Sequence, residues 1–381
     1  MSLDQVYIVK SAHFLPNDPI SNDEIEDYLG LVNGNMSKSK RIVLRNNGIQ
    51  RRFYALTKGG KGTHTNAEMT AISINKLLDN DPEKLKSVQL IACGTSTPDQ
   101  MMPSHGVMVH GWLKGSEAVE IISPSGNCCA GMHALKYAYL SIKSGDVDLA
   151  VSTGSERTSR LLVSGNFEDK TSRSVELEEN PHLAFEKDFL RWMLSDGAGA
   201  FLLSNKPNND QISLRIEWIE GVSYAHLVDT CMYMGADKED GTLKSFMDYE
   251  PSEIASNAIF SMKQDVRLLG EYIVAFGFEK LKAIFDSKGL KSDEVDYFLP
   301  HLSSEFFRMK IADKLTENGM EIPQSKWFTN LTRVGNVGAA SIYMMIEELL
   351  NNNQLKKGEK ILLLVPESAR FSYMYAYLTV V

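Results

Sequence analysis

Ile121-Ile122-Ser123-Pro124-Ser125-Gly126-Asn127-Cys128-Cys129-Ala130-Gly131-Met132-His133-Ala134-Leu135 is the stretch that decides how the rest of the chain is read. The mostly apolar run Ala118 to Ile122 predicts a buried strand, which Ser, Pro, Gly and Asn then break. After Cys129 the apolar residues return at Met132, Leu135, Ala138, Tyr139 and Ile142, the spacing of a helix. Gly145 stops that helix. Cys129 therefore stands where a strand gives way to a helix. Backbone N–H groups are unpaired there and the helix dipole is positive. Both effects favour the thiolate, the nucleophilic form of cysteine. Cys129 reads equally well as a small buried hydrophobe, and this stretch alone leaves both readings open.

Composition narrows the class. The chain has 381 residues, 43% hydrophobic and 23% charged, which fits a globular protein with ample core. The length suggests two or three domain-sized units. A net charge of −9 argues against general nucleic-acid binding. Met1 to Val9 has neither a basic leader nor a long apolar run, so it reads as a first strand and not a signal peptide. No apolar run approaches the length of a membrane span, and no membrane insertion is expected. Cys93, Cys128, Cys129 and Cys231 form no C-x-x-C pair and no disulfide framework. The expected compartment is a reducing cytoplasm. The adjacent Cys128 and Cys129 are poorly placed to share a zinc ion, and no metal is expected.

Along the chain, strands are expected at 6–9, 88–93, 147–151, 212–221, 295–300, 360–365 and 371–380, with helices at 65–78, 104–113, 254–285, 305–315 and 341–350. The polar segment 165–188 reads as a long surface loop or lid, and 224–253 as irregular. The densest basic region, Lys38-Ser39-Lys40-Arg41-Ile42-Val43-Leu44-Arg45 with Arg51 and Arg52 beyond it, reads either as a solvated face or as a landing site for a phosphate-bearing or acidic partner. The two halves repeat one plan. Strand 88–93 echoes 295–300, the Cys129 turn and helix echo the turn Gly335-Asn336-Val337-Gly338 and its helix, and strand 147–151 echoes 360–365. The boundary is expected near 205, giving halves 1–205 and 206–381. Alternating strands and helices imply an α/β fold with helix-covered parallel strands. Ligands in such sheets bind beyond the carboxyl ends of the strands, and Cys129, His301 and Asn336 all fall there.

A cysteine nucleophile with a histidine and an asparagine suits acyl transfer: the thiol takes an acyl group, and the other two donate hydrogen bonds as enolate charge develops. Taken singly, His301 also reads as a satisfied structural histidine, and Asn336 as a turn residue.

Together these residues give the chain a resemblance. It resembles the β-ketoacyl-acyl-carrier-protein synthase III group of thiolase-fold condensing enzymes, as a divergent member. Cys129-Ala130-Gly131 matches the nucleophile motif, Leu299-Pro300-His301 the Pro-His motif, and Gly335-Asn336-Val337-Gly338-Ala339-Ala340-Ser341 the Gly-Asn-x-x-Ala-Ala-Ser motif. Ser195-Asp196-Gly197-Ala198-Gly199-Ala200 resembles the Gly-Asp-Gly-Ala-Gly-Ala turn, and Arg45 through Gly48-Ile49 to Arg52 the Arg-x-Gly-Ile segment. The resemblance implies two pseudo-duplicated halves in a layered α/β/α/β/α sandwich, and a homodimer. It implies an acyltransferase in fatty acid or specialised, dialkylresorcinol- or polyketide-like lipid biosynthesis. Cys129 is acylated by an acyl thioester and a Claisen condensation follows with a malonyl or 3-oxoacyl thioester. His301 and Asn336 are implied as the other catalytic residues, with the amides of Cys129 and Ala369 as the oxyanion hole. No cofactor is implied, because coenzyme A or the phosphopantetheine of an acyl-carrier protein carries the substrates. Lys40, Arg41, Arg45 and Arg308 are the residues expected near the carrier entrance.

The chain departs from the family pattern in three ways. Ser368-Ala369-Arg370 replaces a glycine triplet, so Ala369 keeps its N–H but has less backbone freedom. A tryptophan that stacks on coenzyme A is missing, with Arg41 near its place. The Cys-to-His interval is lengthened around 165–190 and 225–255. Met101, Met102, Met132, Met232 and Met234 suit the lining of a longer acyl tunnel, although each also reads as an ordinary core methionine. Cys128 reads as packing. Two alternatives stand beside the main reading: hydroxymethylglutaryl-coenzyme A synthase-like chemistry with Glu156 as general acid, and a catalytically silent partner subunit.

Overall fold

The computed structural model describes residues 5–37, 39–167, 189–239, 242–352 and 355–381. Among them one mixed sheet gathers β1 (Tyr7–Phe14), β2 (Leu90–Thr95), β3 (Glu120–Ile122), β4 (Leu149–Glu156), β5 (Gly197–Ser204), β6 (Leu214–Ser223), β7 (Tyr297–Pro300), β8 (Lys360–Glu367) and β9 (Ser372–Val380). Their order is β7-β8-β9-β6-β1-β5-β4-β2-β3. The sheet is thin at its middle, where β1 and β6 meet only through Tyr7 with Arg215 and Ile8 with Leu214. One pattern repeats on either side. β1, β5 and β4 run antiparallel and β4, β2 and β3 parallel; β6, β9 and β8 run antiparallel and β8 and β7 parallel. A parallel bridge from Phe298 to Trp327 takes, in the second set, the place of β3 in the first.

The helices that position the site are α1 (Lys40–Asn47), α2 (Asn66–Leu77), α3 (His105–Trp112), α4 (Ala130–Lys143), α5 (Val266–Lys288), α6 (Phe306–Glu317) and α7 (Ser341–Asn351). α4 and α7 form the central layer. Leu135, Ala138 and Ile142 of α4 and Tyr343 and Ile346 of α7 share one core with Ile8 and Leu203 of one strand set and Leu363 and Val365 of the other. Each large aliphatic side chain so buried contributes about 1.5–3 kcal/mol. α4 and α7 cross at a point that requires glycine. A Cβ on Gly131 would lie 2.3 Å from the Ala339 carbonyl oxygen, and the Tyr343 hydroxyl donates to the Gly131 carbonyl at 2.7 Å. The start of α2 is fixed by a reciprocal cap between Thr65 and Glu68. α5 begins where the Asp265 carboxylate accepts the Leu268 N–H at 2.9 Å.

Three expectations change. β3 is the edge strand of the sheet, with Glu120 exposed, because only β2 pairs with it among the described residues. The segment read as irregular holds the hairpin Ala236–Glu239 with Thr242–Ser245, and Met232–Tyr233 pairs with Lys263–Gln264. That pairing splits the helix expected over 254–285 into Pro251–Ser256 and α5. The loop or lid expected at 165–188 lies, from 168 onward, outside the described residues. No helix among the described residues is long and apolar enough to cross a membrane.

Candidate active site

The site is built around the carboxyl end of β8. His301 follows β7, and its backbone N–H donates to the Leu364 carbonyl at 2.8 Å, continuing the parallel ladder one residue past Pro300. The Cys129 thiol donates to the next carbonyl along, that of Val365, at 3.3 Å. Two residues from opposite halves of the chain, one through its backbone and one through its thiol, are thus anchored on consecutive residues of one strand. Cys129 is the N-cap of α4 and is buried.

Asn336 is held from the other side. Its N–H donates to the Met193 carbonyl at 3.1 Å and its carbonyl accepts the Ser195 N–H at 2.9 Å. Gly335 before it has a φ of +80°, and a Cβ there would lie 2.8 Å from the Ser195 Cβ. The loop approaches this closely only because residue 335 is glycine. The Asn336 side-chain oxygen accepts the Gly338 N–H at 2.9 Å, which leaves its Nδ2 hydrogens directed away from that bond.

Asn336 and His301 line the same cavity, together with Ser96, Asn127, Cys128, Glu156 and Ser368, and its empty volume is about 670 Å³. Met193, Met232, Met262 and Leu269 supply apolar wall. Burial lowers the His301 pKa to about 4, so the imidazole is neutral near pH 7. Its Nε2 is buried and has no hydrogen-bond partner among the described residues. A second, more apolar cavity of about 530 Å³ lies between α5 and α6 and shares Ile273, His301, Ser303 and Pro366 with the first.

Two carboxylates are buried beside the chamber. Glu156 accepts hydrogen bonds from the Ser96 N–H at 3.2 Å, the Ser96 hydroxyl at 2.7 Å, the Thr97 hydroxyl at 2.7 Å and the Ala339 N–H at 3.3 Å. Burial raises its pKa to about 7 against the pull of those donors. Glu367, at the end of β8, accepts the Asn127 side-chain N–H at 3.0 Å, the Ala369 N–H and, at 3.4 Å, the Ser372 N–H.

Comparison with known proteins gives this chain relatives. Residues 285–366 match the family described as 3-Oxoacyl-[acyl-carrier-protein (ACP)] synthase III C terminal. The Beta-ketoacyl-[acyl-carrier-protein] synthase III of Clostridium perfringens is 23% identical over 350 residues, covering 92% of each chain. The chain is similar along most of its length to the synthase III condensing enzymes. Its fold is theirs, the thiolase fold. OleA from Xanthomonas campestris, solved with lauric acid and lauroyl-CoA, superposes with a TM-score of 0.76 over 99% of both chains at 19% identity. A tetronic acid condensing enzyme superposes at 0.74 over 98% of this chain and 99% of its own, at 18% identity.

Several expected site residues stand differently in the structure. Cys128, read as packing, lines the chamber, while the Cys129 thiol points to the Val365 carbonyl. Burial, with the Glu367 charge second, pushes the Cys129 thiol well above its ordinary pKa. The lowering expected from the helix start is outweighed because desolvation of a fully enclosed thiolate exceeds a dipole effect of about 0.3–1 kcal/mol. The Ala369 N–H, expected in the oxyanion hole, is donated to Glu367. Lys40 is tied to Glu26 at 2.7 Å, and Arg308 to Glu305 through its Nη2 at 3.1 Å. Arg41 and Arg45 are exposed on α1. Arg52 is buried and donates to the Trp192 carbonyl at 2.9 Å. Of the methionines expected in a tunnel, Met101, Met102 and Met234 are exposed, Met132 is in the central core, and Met232 reaches the chamber. Sequence reasoning did not single out Glu367. Its one signal was an acidic residue one proline beyond the apolar run Ile361 to Val365.

Proposed function

We propose that the chamber carries out a Claisen-type condensation in which Cys129 is the nucleophile and His301 and Asn336 hold the acceptor. The first substrate is an acyl thioester of coenzyme A or of a carrier protein's phosphopantetheine. The Cys129 sulfur attacks its carbonyl carbon, a new thioester forms, and the departing thiol takes the proton that Cys129 gives up. The acceptor, a malonyl or 3-oxoacyl thioester, then enters. Its thioester oxygen accepts hydrogen bonds from His301 Nε2 and Asn336 Nδ2 while charge builds on it as the enolate. With a malonyl acceptor, carbon dioxide leaves; with a 3-oxoacyl acceptor, the carbon between the carbonyls gives up a proton, which ends on the Cys129 sulfur released in the next step. The enolate carbon attacks the acyl group, and the Cys129–acyl bond breaks.

The observation that carries this reading is the His301 ring: buried, neutral, unpartnered at Nε2, and in one cavity with Asn336. An unsatisfied buried donor costs about 1–3 kcal/mol, and a substrate oxygen removes that cost. The acyl tail fits the apolar cavity between α5 and α6, which begins at His301. Arg41 and Arg45, exposed on α1, are the residues of the basic segment assigned to meet an acidic carrier protein. The role belongs to fatty acid or specialised lipid biosynthesis, and a homodimer is its expected assembly. Chemistry of the hydroxymethylglutaryl-coenzyme A synthase type is not favoured, and the Glu156 carboxylate it would use is taken up by Ser96, Thr97 and Ala339.

Mass spectrometry after incubation with acyl thioesters tests the assignment. An acyl adduct on Cys129 is expected in the wild type and in His301→Ala, with condensation lost in the latter. An adduct that survives Cys129→Ala undamaged, on Cys128 or elsewhere, overturns the choice of nucleophile.

A further inference from the structure

The oxyanion that forms when a thioester carbonyl on Cys129 is attacked needs preorganised donors, and the loop after β8 has already committed its own. The Ala369 N–H points at Glu367, two residues earlier in the chain. The same carboxylate oxygen that takes the Ala369 N–H also takes one hydrogen of the Asn127 carboxamide, at 3.0 Å. Asn127 lies two residues before Cys129, in the turn that leads into α4, and lines the chamber. A carboxamide nitrogen has two hydrogens. One is held by Glu367, and the planarity of the group then fixes the direction of the other.

We propose that Asn127 Nδ2 is an oxyanion donor of this enzyme, and that Glu367 is the positioning residue that aims it. This rests on the reading of Cys129 as nucleophile. Glu367 is suited to that role. It is 6% exposed, no ion pair to it exists among the described residues, and its neighbours at hydrogen-bond distance are N–H donors from both halves of the chain. It ties the turn at 125–128 to the loop at 367–372, whose Ser368 forms part of the chamber wall and accepts the Gln264 side-chain N–H at 3.1 Å. The family pattern places an amide from a glycine triplet where this chain has Ser368-Ala369-Arg370. Here a side-chain amide on the facing turn replaces it, and the carboxylate that withdraws the backbone donor holds the substitute in place.

The step it serves balances without another reactant. The acyl thioester carbonyl receives the Cys129 sulfur, its oxygen becomes the oxyanion facing Asn127 Nδ2, and the oxyanion collapses as the original thiolate leaves with the proton from Cys129.

The test measures the rate of Cys129 acylation by acyl-coenzyme A, read as adduct mass against time over a range of substrate concentrations. Asn127→Ala is expected to lower the maximal acylation rate by about 10²–10³-fold, the loss typical of one oxyanion donor, while half-saturation moves less than about threefold. Glu367→Gln keeps an acceptor oxygen toward Asn127 and Ala369, so it should retain most of the rate. Glu367→Ala should approach the rate of Asn127→Ala, and the double Ala variant should be no slower than Asn127→Ala alone, because both act through one hydrogen bond. Wild-type acylation by Asn127→Ala, or losses that multiply in the double variant, overturn the proposal. If a variant unfolds, Glu367→Gln decides alone: a rate as low as that expected for Asn127→Ala, in a protein with wild-type thermal stability, refutes a positioning role. An absence of acylation in the wild type points instead at the reading of Cys129.

Discussion

Replacing Glu156 with Gln should change how stability depends on pH, and the size follows from the site. The carboxyl is 1% exposed and its pKa is raised from 4.5 to about 7 by burial. A group whose folded pKa is raised contributes stability that is fully present below the unfolded value and is lost as pH rises through the folded one. A shift from 4.5 to about 7 corresponds to about 3 kcal/mol in all. Between pH 5 and pH 8 the wild type should lose about 2.5 kcal/mol from this group, since part of the effect is already spent at pH 5. Glutamine is nearly isosteric. Its oxygen can keep the N–H donors of Ser96 and Ala339, and its amide can donate to the Thr97 hydroxyl, which rotates to accept. The variant has no proton to lose there. His105 and His301, both lowered to about 4 by burial, titrate in the same window with the opposite sign. They do so equally in both proteins and cancel in the difference. Urea unfolding of wild type and Glu156→Gln at pH 5, 6.5 and 8 measures this difference. The stability of the variant relative to wild type should rise by about 2.5 kcal/mol across that range. A relative stability that stays level, or falls, with pH refutes the reasoning.

Gly131→Ala places a Cβ 2.3 Å from the Ala339 carbonyl oxygen and should cost about 1–3 kcal/mol by forcing α4 and α7 apart; an unchanged melting temperature contradicts the crossing described. Arg41→Glu with Arg45→Glu should raise KM for carrier-linked substrate several-fold and flatten its salt dependence, sparing acyl-coenzyme A. Equal effects on both substrates refute a docking role. Ile311→Trp fills the cavity between α5 and α6 and should shift preference toward shorter acyl chains without altering acylation by acetyl-coenzyme A; a chain-length profile that does not move places the tail elsewhere.

The frame of the fold was legible because the signals that make it are local. Apolar runs bounded by Pro, Gly or Asn marked β2, β4, β7 and β8, and a 3.6 period marked α4. The repeat of strand, glycine turn and helix pointed to the paired arrangement now seen on either side of the β1–β6 seam. Errors arose where the deciding contact is distant. The pairing of Lys263–Gln264 with Met232–Tyr233 joins residues some thirty apart, and it broke a stretch whose own residues favour helix. Glu120–Ile122 looked buried because an apolar run carries no mark of whether a strand stands at a sheet's edge. The exposed Met101 and Met102 and the core Met132 show the same limit: methionine suits both a tunnel and a core, and composition does not choose between them.

The site divides along the same line. His301 and Asn336 each follow a strand or glycine turn with a defined direction, and the fold carries both to one cavity. The electrostatics could not be read that way. A thiol at a helix start was expected to ionise easily, yet burial and the Glu367 charge act together on Cys129 in the opposite direction. The consequence concerns timing. A thiol held protonated and hydrogen-bonded to the Val365 carbonyl is a poor target for stray electrophiles. In the proposed reaction it becomes a nucleophile only when a bound thioester offers both an acceptor for its proton, in the leaving sulfur, and a carbonyl whose developing charge the surrounding donors can hold. On that reading, the environment that weakens the free thiol reserves its reaction for the substrate that fills the chamber.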